Sequence, residues 1–154
     1  MLLKSPEPHS EFELIIVGYQ FPEIENEMYD SNWLVISIKA SVPRGSWTAT
    51  HPSLLTWEVK RLAEWLRAVA ENEPVEPEQH FIEPNLSFSI VGRSRDSITL
   101  GVYCGYESKP PWARTGTATL EDHQVVLKVT PDDLKSAAES LRAQLSRFPP
   151  RAGA

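Results

Sequence analysis

The chain has 154 residues, 41% hydrophobic and 23% charged, a length that supports one domain with a core needing neither disulfides nor a structural metal. Mean hydropathy is −0.31 and no apolar run approaches the ~20 residues of a membrane span, which argues against a membrane-embedded chain. A net charge of −6 argues against a general nucleic-acid coat, because phosphate binding needs clustered Lys and Arg.

The first β-rich run is FELIIVGYQF, Phe12 to Phe21. Phe12, Leu14 and Ile16 share one face, and Ile15, Val17 and Tyr19 make the other partly apolar, as in an interior strand. Pro22 ends it because proline cannot donate to a ladder, and the polar EIENEMYDSN reads as a loop. Trp33 to Ala40 alternates more cleanly, with Leu34, Ile36 and Ile38 inward. Pro43, Gly45 and Pro52 then leave room for a short strand around Ser46 to Thr50.

Thr56 reads as a helix N-cap with Glu58 in the positive first turn. Leu55, Val59, Leu62, Leu66 and Val69 recur at helical spacing to about Ala70. The following ENEPVEPEQ is an exposed proline-acidic loop. Leu86–Val91 and Ser97–Cys104 read as a hairpin, and Thr115–Leu120 with Gln124–Val129 as another. The last helix has the best-marked start: Thr130 as N-cap, Pro131 at the first position, Asp132 and Asp133 in the first turn. Leu134, Ala137, Ala138, Leu141, Leu145 and Phe148 form its apolar face, and Pro149 and Pro150 stop it. These elements predict an α+β fold: an antiparallel sheet of five to six strands with two helices packed on one face, a single two-layer domain spanning 1–154. Residues 1–10 and 151–154 are expected to be flexible ends.

The charge is uneven. Met1 to Gly92 carries 6 basic and 14 acidic residues, and Arg93 to Ala154 carries 9 and 7. Two windows lack any basic residue: Glu7 to Asp30 holds seven acids, and Glu71 to Glu83 holds five. A solvated face is one reading of such runs; a pair of acidic patches facing a basic partner is the other.

Catalytic signatures are missing. His9, His51, His80 and His123 are dispersed, and none has a His or Cys at the spacing that pairs ligands on one helical face. Neither a Gly-x-Ser-x-Gly elbow nor a phosphate-cradling glycine loop occurs. Cys104 falls on the inward face of its strand and reads as a structural thiol. No metal, cofactor or catalytic residue is therefore expected. Trp33, Trp57 and Trp65 read as core or core edge, whereas Trp47 and Trp112 fall in Gly- or Pro-rich loops, where aromatics can anchor interfaces.

Five strings in order carry a resemblance: YQFP (Tyr19–Pro22), DSNWL (Asp30–Leu34), LLTWE (Leu54–Glu58), EPNLSF (Glu83–Phe88) and LRAQLSRFPPR (Leu141–Arg151). Together they resemble the WapI-type immunity proteins of bacteria, over Phe12 to Arg151. Asp30-Ser31-Asn32 departs from the Asp-Ala-Asn of that pattern. The resemblance implies a cytoplasmic, non-enzymatic antitoxin-like binder that neutralises the C-terminal domain of a contact-dependent toxin, often a nuclease. Asn32, Thr56 and Asn85 also stand where predicted elements begin, so capping and turn chemistry accounts for part of the pattern.

The resulting expectation is occlusion of a basic toxin surface by acidic loops, with no direct nucleic-acid or membrane partner. The residues singled out are Glu23, Glu25, Glu27 and Asp30, then Glu71, Glu73, Glu76 and Glu78, with Trp47 or Trp112 as aromatic anchor. The alternatives are a small enzyme or ligand-binding domain with a site built from distant loops, or an interaction module of another kind.

Overall fold

In a computed structural model, residues 1–152 are described. Eight strands form two antiparallel sheets of four rather than one sheet of five or six, and there are three α-helices rather than two. The first sheet has the order β1-β2-β3-β4, with β1 Leu2–Pro6, β2 His9–Tyr19, β3 Trp33–Val42 and β4 Gly45–Leu55. The second has the order β5-β6-β7-β8, with β5 Glu78–Gln79, β6 Leu86–Arg93, β7 Ile98–Cys104 and β8 Gln124–Val129. Helices α1 (Thr56–Ala70) and α3 (Pro131–Arg147) pack on each other, while α2 (Leu120–His123) is a single turn.

Each sheet buries one face because its apolar residues alternate. Phe12, Leu14 and Ile16 on β2 and Leu34, Ile36 and Ile38 on β3 are buried, as are Leu100, Val102 and Cys104 on β7. These side chains and the stripes of α1 and α3 form one hydrophobic cluster. The Phe12 and Phe88 rings bridge the sheets edge to face, 5.8 Å between centroids. β2 lies between β1 and β3 as an interior strand, but its outer Ile15 and Val17 are exposed.

The sheets meet where β1 lies beside β8, and serines make the junction. Ser5 and Ser10 are cross-strand partners and both are buried. The Ser5 Oγ accepts from the Lys128 N–H at 3.0 Å, and the Ser10 hydroxyl donates to the Val126 carbonyl at 2.5 Å. Residues 1–10, expected as a flexible end, thus contain β1 and one side of this seam. Beyond β1, α3 supplies the missing partner for β2. The Gln144 Oε1 accepts from Ile16 N–H at 2.7 Å and its Nε2 donates to the Leu14 carbonyl at 3.2 Å.

Two helix starts contrast. Thr130 caps α3, as the sequence predicts, and Asp133 returns the bond to the Thr130 N–H. At α1 the N-cap is Leu55 rather than Thr56. The Glu58 carboxylate reaches back to the Leu55 N–H at 3.0 Å, while the Thr56 hydroxyl donates across to Asn32 Oδ1 at 2.8 Å. Two further expectations change. The short strand at Ser46–Thr50 is the long β4, and Thr115–Leu120 is not a strand. Thr119 and Asp122 share reciprocal capping bonds that turn the chain into α2 instead, and β8 pairs with β7. At the C-terminal end Arg151 is hydrogen-bonded through backbone and side chain, whereas residues 153–154 of the expected flexible end lie outside the described residues.

The Gln144 bridge gives a test. Gln144→Leu keeps bulk but leaves the buried Ile16 N–H without an acceptor, which costs about 1–3 kcal/mol. The urea midpoint should fall at unchanged slope; an unchanged midpoint would show that the bridge contributes nothing.

Candidate functional site

The loop after β2 is acidic but ordered. The Ser31 Oγ accepts from the Glu27 N–H, and the Asn32 amide donates to the Met28 carbonyl, both at 2.8 Å. Asn32 Oδ1 also accepts from the Arg151 N–H at 2.8 Å, so one buried side chain ties this loop to both α1 and the C-terminal segment. The Arg151 guanidinium donates to the Pro22 and Ile24 carbonyls at 3.0 and 2.9 Å and lies over the Tyr19 ring, 3.6 Å from its centroid. The cation that holds the loop is therefore spent on carbonyls and a ring. Among the described residues, Glu23, Glu25, Glu27 and Asp30 enter no ion pair and stay exposed.

The second acidic window runs back along α1. Arg67 pairs with Glu73 at 3.1 Å, the Trp65 indole N–H donates to the Glu76 carbonyl at 2.8 Å, and Arg61 donates to the His80 carbonyl at 2.7 Å. The strap ends at the start of the helix, where the Ile82 N–H donates to Glu58 Oε1 at 2.8 Å. Glu58 is only 1% exposed, and Arg61 lies 3.9 Å from it.

This path decides which predicted residues come together. α1 is 15 residues long, roughly 22 Å at ~1.5 Å per residue, and Glu71 and Glu73 stand at its far end. Both pair with Arg67, whose hydrogen bond holds the Glu73 carboxyl below its ordinary range. Glu76 is exposed, and Glu78 pairs with His80 at 2.7 Å in open solvent. Only the last acid of the window, Glu83, reaches the first window, where it shares a groove with Asp30.

That groove, of about 360 Å³, is the centre of the site. Phe21, Trp33 and Pro52 give it apolar walls, Asp30 and Glu83 carboxylates, and Gln20 and His51 further polar groups. Glu107 stands 3.8 Å from His51. A hydrogen bond from its own backbone N–H, then one from Asn85 at 2.7 Å, hold the Glu107 carboxyl below the usual range. Exposed Tyr29, Ile82 and Tyr106 lie next in sequence to these acids, and exposed Met28 lies two residues before Asp30. Such a surface can take a cationic group with an apolar stem. Sequence reasoning gives Trp33, three residues after Asp30, a place in the core or at its edge, and it missed His51, Glu83 and Glu107 because only the topology brings them to Asp30. The available signal was the set of strings YQFP, DSNWL and EPNLSF, which supply Gln20, Phe21, Asp30, Trp33 and Glu83.

Trp47 and Trp112 are elsewhere. Trp47 belongs to β4 rather than a loop, is 8% exposed, and donates its indole N–H to the Ser108 carbonyl at 3.0 Å. Trp112 is half-buried, packs edge to face on Trp47 at 5.3 Å and donates to the Asp122 carbonyl at 3.0 Å. A Cβ on Gly45 would lie 2.9 Å from the Trp112 ring, which is why glycine stands there. Arg44 lies over that ring and pairs with Asp122 at 2.7 Å. The two indoles thus fasten the segment carrying α2 to the start of β4. Pro52 of the groove is seven residues further along the strand, roughly 23 Å at ~3.3 Å per residue. Cys104 is fully buried, and burial pushes its thiol well above the ordinary value, as a structural thiol requires.

A family model described as "Immunity protein WapI-like family" matches residues 2–149. The chain belongs to that family. Comparison with curated proteins returns no match. Membership gives this immunity protein a toxin as its general class of partner. No helix among the described residues is long and apolar enough to cross a membrane, and no group of three or more His, Cys, Asp or Glu among them could hold a metal ion.

Two amides depend on the buried Glu58 of this immunity protein. Glu58→Ala strands the Leu55 and Ile82 N–H groups, at about 1–3 kcal/mol each. Chemical denaturation should show a loss of about 3 kcal/mol, with Glu58→Gln, which keeps one acceptor oxygen, losing less. Stability within about 0.5 kcal/mol of the parent chain would contradict the role given to this carboxylate.

Proposed function

We propose that the chain is a non-enzymatic, cytoplasmic immunity protein that binds and occludes the C-terminal domain of a contact-dependent toxin, a nuclease with a basic substrate surface. The supporting observation is the set of free carboxylates on an ordered loop: Glu23, Glu25, Glu27 and Asp30 are exposed and unpaired among the described residues. Unpaired surface charge of one sign raises the rate of encounter with an oppositely charged partner and favours it over others. The ordering of the loop matters as well, because a fixed surface loses less entropy on binding.

Glu83 and Glu107 extend the acidic face, and Tyr29, Ile82 and Tyr106 give it the apolar contacts that interfaces concentrate at their centres. Glu76 and Glu78 form its further rim along the strap. Glu71 and Glu73 contribute least, being offset by Arg67. Trp47 and Trp112 act as scaffold beneath α2 rather than as anchors. A nuclease covered in this way loses access to its polyanionic substrate, and the immunity protein supplies no chemistry of its own.

The test combines Glu23→Lys, Glu25→Lys and Glu27→Lys in one chain. Affinity for a catalytically inert form of the cognate toxin domain should fall at least tenfold, mostly through the association rate. Its salt dependence should flatten and the thermal midpoint should barely move. Undiminished affinity in the triple variant would remove this loop from the mechanism.

A further inference from the structure

We propose that the groove between Asp30 and Glu83 is a binding site for a guanidinium: it takes one arginine side chain of the partner protein. The identity of that partner rests on the immunity reading, while the chemistry of the groove stands independently of it. Two kinds of wall meet there. Phe21, Trp33 and Pro52 present apolar surface, and Asp30 and Glu83 present carboxylates, around a space of about 360 Å³. Neither carboxylate is paired with a Lys or Arg among the described residues.

The combination selects among ligands. An anion is repelled by both carboxylates, and an uncharged apolar group would desolvate them without compensation. A hard metal cation asks for six or more oxygen ligands, and two carboxylates set among rings and a proline do not provide them. A lysine ammonium is a compact, strongly hydrated point charge that gains little from flat apolar walls. A guanidinium uses both features. Its planar fork of donors matches carboxylates, its faces stack on aromatic rings, and its weaker hydration makes burial cheaper.

The groove is also held open in advance. Trp33 follows Asn32, whose side chain bonds to Thr56 and Arg151, Asp30 lies two residues before it, and Glu83 follows Ile82, whose N–H is held by Glu58. Both walls are therefore clamped to the first turn of α1. The positive end of that helix would oppose a cation, but the Glu58 carboxylate sits on it. His51 lines the groove too, with the Glu107 carboxylate 3.8 Å from it.

The experiment uses the full ¹⁵N-labelled chain and follows the Trp33 indole N–H by NMR. Three probes are titrated: the N-acetyl methylamides of arginine, lysine and citrulline, the last a neutral analogue of arginine. The arginine probe should shift the Trp33 signal saturably, the lysine probe at least tenfold more weakly, and the citrulline probe not at all. The double variant Asp30→Asn, Glu83→Gln should lose the arginine response while keeping its thermal midpoint, because both side chains are exposed. A silent Trp33, equal responses to lysine and arginine, or a response that survives the double variant overturns the assignment. The immunity reading is judged separately, by whether the parent chain rescues cells expressing the toxin. Rescue with a silent Trp33 removes the arginine site and leaves immunity standing; a saturable, carboxylate-dependent Trp33 response without rescue does the reverse.

Discussion

A carboxylate buried at the start of α1 fixes one wall of the candidate site, and an asparagine beside it fixes the other. Glu58 is 1% exposed, and a charge so placed is costly unless its lone pairs are filled. Two backbone N–H groups fill them, from Leu55 and Ile82, with Arg61 at 3.9 Å and the positive end of the helix adding to the balance. One of those amides closes the turn from β4 into α1. The other pins the strap that returns along the helix. Beside it, Asn32 uses both ends of its amide to join the acidic loop, α1 and Arg151. Loops that repel one another electrostatically are thereby held within a few ångströms of the same helical turn.

The distribution of acids follows from the same arrangement. Fourteen of the 21 acidic residues fall in the first 92 positions, but they are not equivalent. Glu58 is structural, Glu71 and Glu73 are offset by Arg67, and Glu78 pairs with His80. The loop acids keep their charge free because Arg151 bonds to carbonyls. Location and pairing, rather than count, decide which of these charges stay free at the surface.

Much of the secondary structure was legible because it rests on local patterns. The alternation of Leu34, Ile36 and Ile38 marks β3, and Thr130, Pro131 and Asp133 mark the start of α3. The fold was legible only in class. Antiparallel strands carry no sign of which neighbour each will take, so one sheet and two sheets look alike in the sequence. β1 was hidden because Pro6 and Pro8 and the small polar Ser5 replace an apolar alternation, and Ser5 earns its inward place through a bond to the edge of β8. Thr56 was misread because its hydroxyl has a better partner from afar than its own helix offers. In the candidate site Asp30 was legible as one of a run of acids. Its company was not: β4 brings His51 and the strap brings Glu83 to Asp30 and Trp33 from separate parts of the chain. Asn32 and Asn85, read as turn residues, prove to be long-range fasteners.

The central claim is that one buried polar junction holds both walls of the groove as a single body. Native-state hydrogen exchange tests it most directly, since the amides of Leu55, Ile82 and Arg151 each donate to a side chain of that junction. The account predicts that these three exchange with protection comparable to core amides of β3, and that Glu58→Ala lowers protection at Ile82 most. Exchange at the rate of open loop amides such as that of Glu25 would contradict it.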